Sequence, residues 1–169
     1  MTAASAPTAW SDVESAVPEL AAAVRAAFDA HRHKVLATLR ADGSPRLSGN
    51  EASFRDGQLW LGMMPQSRKA LDLRRDPRLE LHSAPVDVDL KHGDARIAGR
   101  AVEETDPDVI SAFGAASAEE HDGQEPPSPF HLFRVDIGEI VLIRIGDPAD
   151  HLVIESWSPP TGYRRTERR

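Results

Sequence analysis

The sequence predicts a mainly β, α+β domain in which six or seven antiparallel strands, with short helices between them, close into a barrel. Two observations predict it. Short runs of alternating apolar and polar residues are punctuated by Asp-Gly pairs at 42–43 and 56–57, a strong hairpin signal. The helical patterns between those runs are brief and carry start and stop residues of their own. No internal repeat interrupts this reading.

The elements follow in chain order. Residues 1–12 are small, polar and Pro-containing and read as a loose terminus. Pro18 suits the first turn of a helix running to about His31, because its missing N–H has no partner to lose there. Leu20, Val24, Ala27 and Phe28 form its apolar stripe, and the cations of His31-Arg32-His33 suit its C-terminus. From Lys34 the period becomes two. A first strand leads to Asp42-Gly43, a second runs from Arg46 to Phe54, and a third covers Gln58–Met63 with Leu59, Leu61 and Met63 on one face. These three read as a central β-meander.

Ser67 is a suitable N-cap for a helix to Arg75, stopped by Pro77. Arg78–Ser83 and Asp94–Glu103 read as strands, the latter inward through Ile97, Gly99 and Ala101. Thr105-Asp106-Pro107-Asp108 starts a helix to about Ala116 with Val109, Ile110 and Phe113 as its buried face. Residues 117–129 are acidic and Pro-rich and read as a mobile surface loop. Phe130–Ile145 and His151–Trp157 complete the strands, and residues 158–169 read as a basic tail. Residues 13–157 are then the folded domain.

Composition narrows the function classes. The 169 residues suffice for one domain, with 40% hydrophobic and 28% charged residues. The net charge of −7 argues against a nucleic-acid footprint, which needs clustered positive charge. Arg164-Arg165-Thr166-Glu167-Arg168-Arg169 is the exception: it carries four Arg and one Glu, so the remainder of the chain stands at −10. There are no cysteines, which excludes a disulfide scaffold and thiolate metal sites. The N-terminus lacks the pattern of a signal peptide, and no apolar run approaches a membrane span. A cytoplasmic protein is the default expectation, with a small-molecule substrate and neither nucleic acid nor membrane as partner.

The stretch that carries chemistry is Trp60-Leu61-Gly62-Met63-Met64-Pro65-Gln66-Ser67-Arg68-Lys69. It puts two cations at a helix start directly after a strand. Unpaired N–H groups and the positive end of the helix dipole favour an anion there. Arg68 would add a planar fork for phosphate oxygens and Lys69 a compact charge. On spacing alone, solvated surface cations are an equal alternative. His31 and His33 stand two apart and would diverge on a helix, and the other histidines show no ligand spacing, so no metal site is expected.

Asp42-Gly43-Ser44-Pro45-Arg46-Leu47-Ser48, a following strand, Ser67-Arg68-Lys69, and then Leu73-Arg74-Arg75-Asp76-Pro77-Arg78-Leu79 occur in that order. The run resembles the pyridoxamine-phosphate-oxidase-like, FMN-binding split β-barrels, which include FMN enzymes and deazaflavin (F420)-dependent reductases. The likeness is good over Lys34–Ser83 and looser beyond. It implies a split barrel, a homodimer, and FMN held between the subunits. Coenzyme F420 is the alternative, and haem, bound by related barrels, a third. By this resemblance Ser67, Arg68 and Lys69 hold the cofactor phosphate, Gly62 and Met63 line the ring or ribityl chain, and Ser48, Gly49 and Asn50 face the isoalloxazine edge. Trp157 and a following arginine, Arg164 or Arg165, correspond to a terminal Trp-then-Arg pattern near the flavin.

Two departures matter. Glu51 stands where a basic or apolar residue is common; beside a flavin it would disfavour the anionic reduced ring, whereas the favoured solvent-facing placement would leave the ring alone. Arg-Arg-Thr replaces the Arg-Leu-His used for substrate in pyridoxamine-phosphate oxidation, so that reaction itself is not implied. The expectation is a flavin- or deazaflavin-dependent oxidoreductase, or a non-catalytic carrier or sensor of the same cofactors. The catalytic residues are not readable. No dedicated acid–base residue is required, because the cofactor ring does the electron chemistry.

Overall fold

The computed structural model describes residues 6–85, 90, 93–120, 126 and 128–169. Among these residues four helices and nine strands follow one another: α1 (Trp10–Ala16), α2 (Pro18–Asp29), β1 (Lys34–Leu39), β2 (Pro45–Asn50), β3 (Ser53–Arg55), β4 (Gln58–Met63), α3 (Arg68–Arg75), β5 (Arg78–His82), β6 (Asp94–Glu103), α4 (Pro107–Glu120), β7 (His131–Ile145), β8 (Leu152–Ser158) and β9 (Gly162–Arg168). All pairings are antiparallel, and the main path runs β2-β1-β5-β6-β7-β4-β3.

The two ends of that path, β2 and β3, are separated in the chain by Glu51 and Ala52 alone. So short a link brings the ends of the sheet together, and the sheet must curl. β2 and β3 are nevertheless not hydrogen-bonded to each other, so the seam stays open. This is a split barrel. The expected central meander is therefore corrected: the β1–β2 and β3–β4 hairpins sit at opposite ends of the path, and the single second strand to Phe54 is two strands. Gly49 and Asn50 end β2, and the Asn50 amide donates to the Glu51 carbonyl at 2.6 Å, turning the chain off the β2 line.

β7 is long enough to pair with two strands in succession along one edge. Its first residues pair with β4 (Met63↔His131 to Trp60↔Arg134), and its last pair with β8 (Ile140↔Trp157 to Ile145↔Leu152). β6 runs along its other edge with a bulge at Ala98/Gly99. Gly99 is required there, since a Cβ would stand 2.3 Å from the Asp136 carbonyl oxygen. Beyond β8, β9 pairs residue for residue from Ser158↔Gly162 to Leu152↔Arg168. The expected basic tail is thus a ninth strand, above the six or seven foreseen. Residues 163–169 are exposed, and their arginines suit an edge that must resist further strand pairing.

The core gathers Phe28, Leu36, Leu59, Leu61, Leu81, Ile97, Phe133, Ile137, Ile140 and Leu142, with the α2 stripe Leu20, Val24 and Ala27 packed onto it. Burying a side chain such as Phe28 contributes about 2–3 kcal/mol. The N-terminus is not loose from Trp10 onward. Trp10 is 1% exposed, packs on Phe54 with ring centroids 4.5 Å apart, and begins a helix whose Asp12 carboxylate accepts from the Ala9 N–H at 2.8 Å. Thr8 ties the segment to β7 through Ile137 N–H to Thr8 O and Thr8 N–H to Asp136 Oδ1. α4 runs one turn past Ala116, and 121–125 and 127 of the expected acidic loop lie outside the described residues. Val109, Ile110 and Phe113 on α4 are only half-buried within this chain. No helix among the described residues is long and apolar enough to cross a membrane.

Candidate cofactor site

The open seam of the barrel carries a cavity of about 460 Å³. Gly49, Asn50 and Glu51 at the end of β2 form one side, and Trp60, Gly62 and Met63 of β4 form the other. Ser67 and Lys69 close it at the start of α3, while Phe113 and Phe130 form an aromatic wall. Phe113 lies 6.3 Å from the Trp60 ring and 6.1 Å from Phe130, with the Arg55 guanidinium 5.3 Å over its face. The lining thus combines an apolar aromatic side with a polar, cationic corner.

The cationic corner is built from α3 and the loop before it. Lys69 Nζ donates to the Gly49 carbonyl at 2.6 Å, joining the helix to the end of β2. No carboxylate pairs with Lys69 among the described residues, and burial pushes its pKa down. Ser67 occupies the N-cap position with extended backbone, as expected, but its hydroxyl makes no capping bond. That oxygen is buried and has no partner among the described residues. A buried hydroxyl without a partner and a partly buried ammonium without a carboxylate are two groups that an anion can satisfy.

The loop is held from behind by groups the sequence did not single out. Gln66 takes a left-handed φ of 57°, and its N–H donates to His131 Nε2 at 3.3 Å. Nε2 can accept only when unprotonated, so the network assigns the ring proton to Nδ1, which faces Glu103 Oε1 at 3.2 Å. Arg74 grips Glu103 with bonds of 2.6–3.0 Å. Those bonds outweigh burial and, with His131, hold the Glu103 carboxyl below its usual range. Nothing in the spacing of His131, Glu103 and Arg74 signals this chain. It arises because β4 pairs with β7 and β7 with β6.

At the opposite rim Arg32 and His33 also line the cavity. Arg32 Nε donates to Glu51 Oε1 at 2.8 Å, and Glu51 is half-buried at the cavity edge rather than turned fully to solvent. The turn after α2 is tied not by His31 or His33 but by Lys34. Its buried ammonium donates to the His31 and Arg32 carbonyls at 2.7 and 3.0 Å, and burial lowers its pKa against the pull of Asp29 and Glu51.

Of the ten residues proposed from sequence, Gly49, Asn50, Gly62, Met63, Ser67 and Lys69 meet in this cavity. Ser48 lies one residue before its wall, with its hydroxyl buried and unpartnered among the described residues. Arg68 points to a different cleft on the other side of α3. Trp157 is packed in the core opposite Ile140, and Arg165 is exposed on β9 with its guanidinium on Glu167. Both stand on the C-terminal hairpin, outside the cavity of their own chain.

Residues 20–144 match the family model described as pyridoxamine 5'-phosphate oxidase. The chain belongs to that family. Among solved structures, a pyridoxamine 5'-phosphate oxidase-related, FMN-binding protein of Nostoc punctiforme superposes with a TM-score of 0.61 at 15% identity, over 90% of this chain and 96% of that one. A haem-binding protein of Mycobacterium smegmatis gives 0.54 at 15% identity, over 86% of both chains. An F420 reductase gives 0.52 at 20% identity, over 64% of this chain and 87% of the other. At these identities the likeness is one of fold. No curated protein matches the chain.

Proposed function

We propose that this member of the pyridoxamine 5'-phosphate oxidase family is an oxidoreductase that binds FMN in the seam cavity and acts on a small organic substrate. Coenzyme F420 is the alternative cofactor and haem the third. The carrying observation is the pair Ser67 and Lys69: a buried hydroxyl without a partner beside an ammonium held in partial desolvation without a carboxylate. A phosphate oxygen would satisfy the first and neutralise the second. Gly49, Asn50, Gly62 and Met63 then face the remainder of the cofactor, and Trp60, Phe113 and Phe130 keep water from one side of its ring.

Bound there, the flavin or deazaflavin supplies hydride or electron transfer, and the chain supplies anchoring, orientation and a partly dry slot. Glu51 is paired with Arg32, so the rim there carries an ion pair with no net charge. The described cavity presents no nucleophile–base pair, which also accommodates a non-catalytic carrier. Turnover with any acceptor separates the two readings.

The same proposal includes a homodimer. The half-covered face of α4, and the placement of Trp157 and Arg165 outside their own chain's cavity, leave the seam open for the C-terminal hairpin of a second copy. The test is parallel titration of the purified protein with FMN, F420 and haem, read by intrinsic tryptophan fluorescence and by light scattering. Saturable quenching by a phosphate-bearing flavin or F420 in a dimer is the expected result. Quenching by haem alone, or a monomer that binds FMN tightly, would replace this reading.

A further inference from the structure

The turn between β4 and α3 stands in a conformation that its own residues do not favour. Met64, Pro65, Gln66 and Ser67 form a four-residue turn closed by Ser67 N–H to the Met64 carbonyl at 3.2 Å. Gln66, its third residue, has a φ of 57°, the left-handed region that such turns give to Gly or Asn at this position. A residue stays in that region only where its surroundings hold it there. The hold the structure supplies is the bond from Gln66 N–H to His131 Nε2 at 3.3 Å.

His131 is itself fixed from behind. It starts β7 opposite Met63, is 9% exposed, and sets Nδ1 at 3.2 Å from Glu103 Oε1. Arg74 on α3 grips Glu103 and holds its carboxyl below the usual range, so Glu103 remains the acceptor and Nδ1 the donor. Glu104, next along the chain, turns its carboxylate away onto the Thr105 and Asp106 N–H groups. β4 and the turn bring Met63, Met64, Pro65 and Gln66, none of them charged. One choice of state is left to the ring, at Nε2. Unprotonated, that nitrogen accepts from Gln66. Protonated, it is a donor aimed at a donor, and the bond is lost while the contact with Glu103 strengthens.

We propose that His131 is a positioning residue acting as a proton-operated latch on this turn, and, resting on the reading of the seam as the cofactor site, that ring protonation loosens the bound cofactor. The turn delivers Ser67 and Lys69 to the seam. With the ring neutral, Gln66 is held and the start of α3 is kept against the cavity. With the ring charged, Glu103 retains the imidazole and only the turn is released.

The test begins without cofactor. NMR of the full chain follows the His131 ring nitrogens and the exchange protection of the Gln66 amide through a pH titration. Nε2 should be the unprotonated nitrogen of the neutral ring. Gln66 protection should fall about fivefold as the ring takes its proton, the loss of one neutral hydrogen bond. In His131→Gln an amide oxygen replaces the accepting nitrogen and does not titrate, so protection should stay high throughout. FMN affinity is then measured for both proteins in neutral and in acid buffer. The parent should lose about fivefold more affinity than His131→Gln, since protonation of the phosphate itself affects both alike. A proton on Nε2 of the neutral ring, Gln66 protection indifferent to the ring's charge, or an equal fall in FMN affinity for the two proteins would each overturn the proposal. A parent that binds no FMN while Gln66 still follows the ring would instead overturn the seam reading and leave the latch standing.

Discussion

The two faces of α3 handle buried charge in opposite ways. On the inner side of the seam, Lys69 is desolvated with only a carbonyl for company, and Ser67 has no partner among the described residues. On the outer side, Asp72 is more deeply buried yet carries three donors. Burial pushes the Asp72 carboxyl up, but Arg46, Arg75 and Thr38 together outweigh it and leave its pKa lowered. The difference separates what holds the fold from what waits for a ligand. A satisfied ion cluster fastens α3 to β1 and β2, whereas the unsatisfied pair is where the proposed cofactor phosphate would supply the missing partner.

Breaking the satisfied side should have the largest effect on the fold. Asp72→Ala strands two guanidiniums and the Thr38 hydroxyl, and removing one member of such a buried cluster typically costs about 3–5 kcal/mol. Because Arg46 and Arg75 retain some contact with water, a loss of about 2–4 kcal/mol is expected. Thermal melts should fall by roughly 2–4 °C for each kcal/mol in a chain of this size. A melting temperature equal to that of the parent would show that the cluster fastens nothing.

Lys69→Ala should do the reverse. It should weaken FMN binding by about 1.5–3 kcal/mol, tenfold or more, and leave phosphate-free riboflavin almost unaffected. The folded protein should not suffer. A lysine whose pKa is lowered by the fold holds fewer protons folded than unfolded between the lowered and ordinary values. Across that window stability rises with pH. Lys69→Met should therefore melt no lower than the parent at neutral pH, and its advantage should shrink as the pH approaches the ordinary lysine range. Equal loss of FMN and riboflavin would place this side chain away from the phosphate.

Glu103 sharpens the contrast from behind the loop. Its carboxyl is held low by Arg74, so the pair stabilises the fold above the ordinary carboxylate range and is lost as pH falls through the lowered value. Glu103→Gln should flatten that acid limb in melts recorded across the acid range. It should also loosen FMN binding modestly, through His131 and Gln66, with the neutral-pH melt only slightly changed. An acid limb identical to the parent's would remove Glu103 from the account.

How far these features could be read in advance follows the same division. The placement of Lys69 and Ser67 was legible because a strand, a turn and a helix start are local, whereas the cavity wall of Phe113 and Phe130 comes from distant parts of the chain. Asp72 carries no local sign of burial; its burial depends on Thr38 and Arg46, which reach it only through the β1–β2 hairpin. His131 and Glu103 are joined by strand pairing across 28 positions and leave no local trace. The ninth strand was masked by its own charge: with both faces exposed it has no alternation to detect, and its arginines resemble a solvated tail. α1 was hidden by brevity, its seven residues presenting only Trp10 and Val13 to the core.

The smallest expected effect is also the most discriminating. Ser67→Ala removes a hydroxyl that is buried and has no partner among the described residues. Deleting a hydrogen-bonded hydroxyl normally destabilises a fold by about 0.5–1.5 kcal/mol, but deleting an unsatisfied one relieves a desolvation cost. The variant should therefore melt at or slightly above the parent without cofactor. With FMN the sign should invert, because the phosphate loses a donor, and affinity should drop a few-fold. A hydroxyl that served the fold would lower both quantities together, and a bystander would change neither. Opposite movement of melting temperature and FMN affinity is expected only if Ser67 is held unpaired for the phosphate, and its absence would move the anion seat off the start of α3.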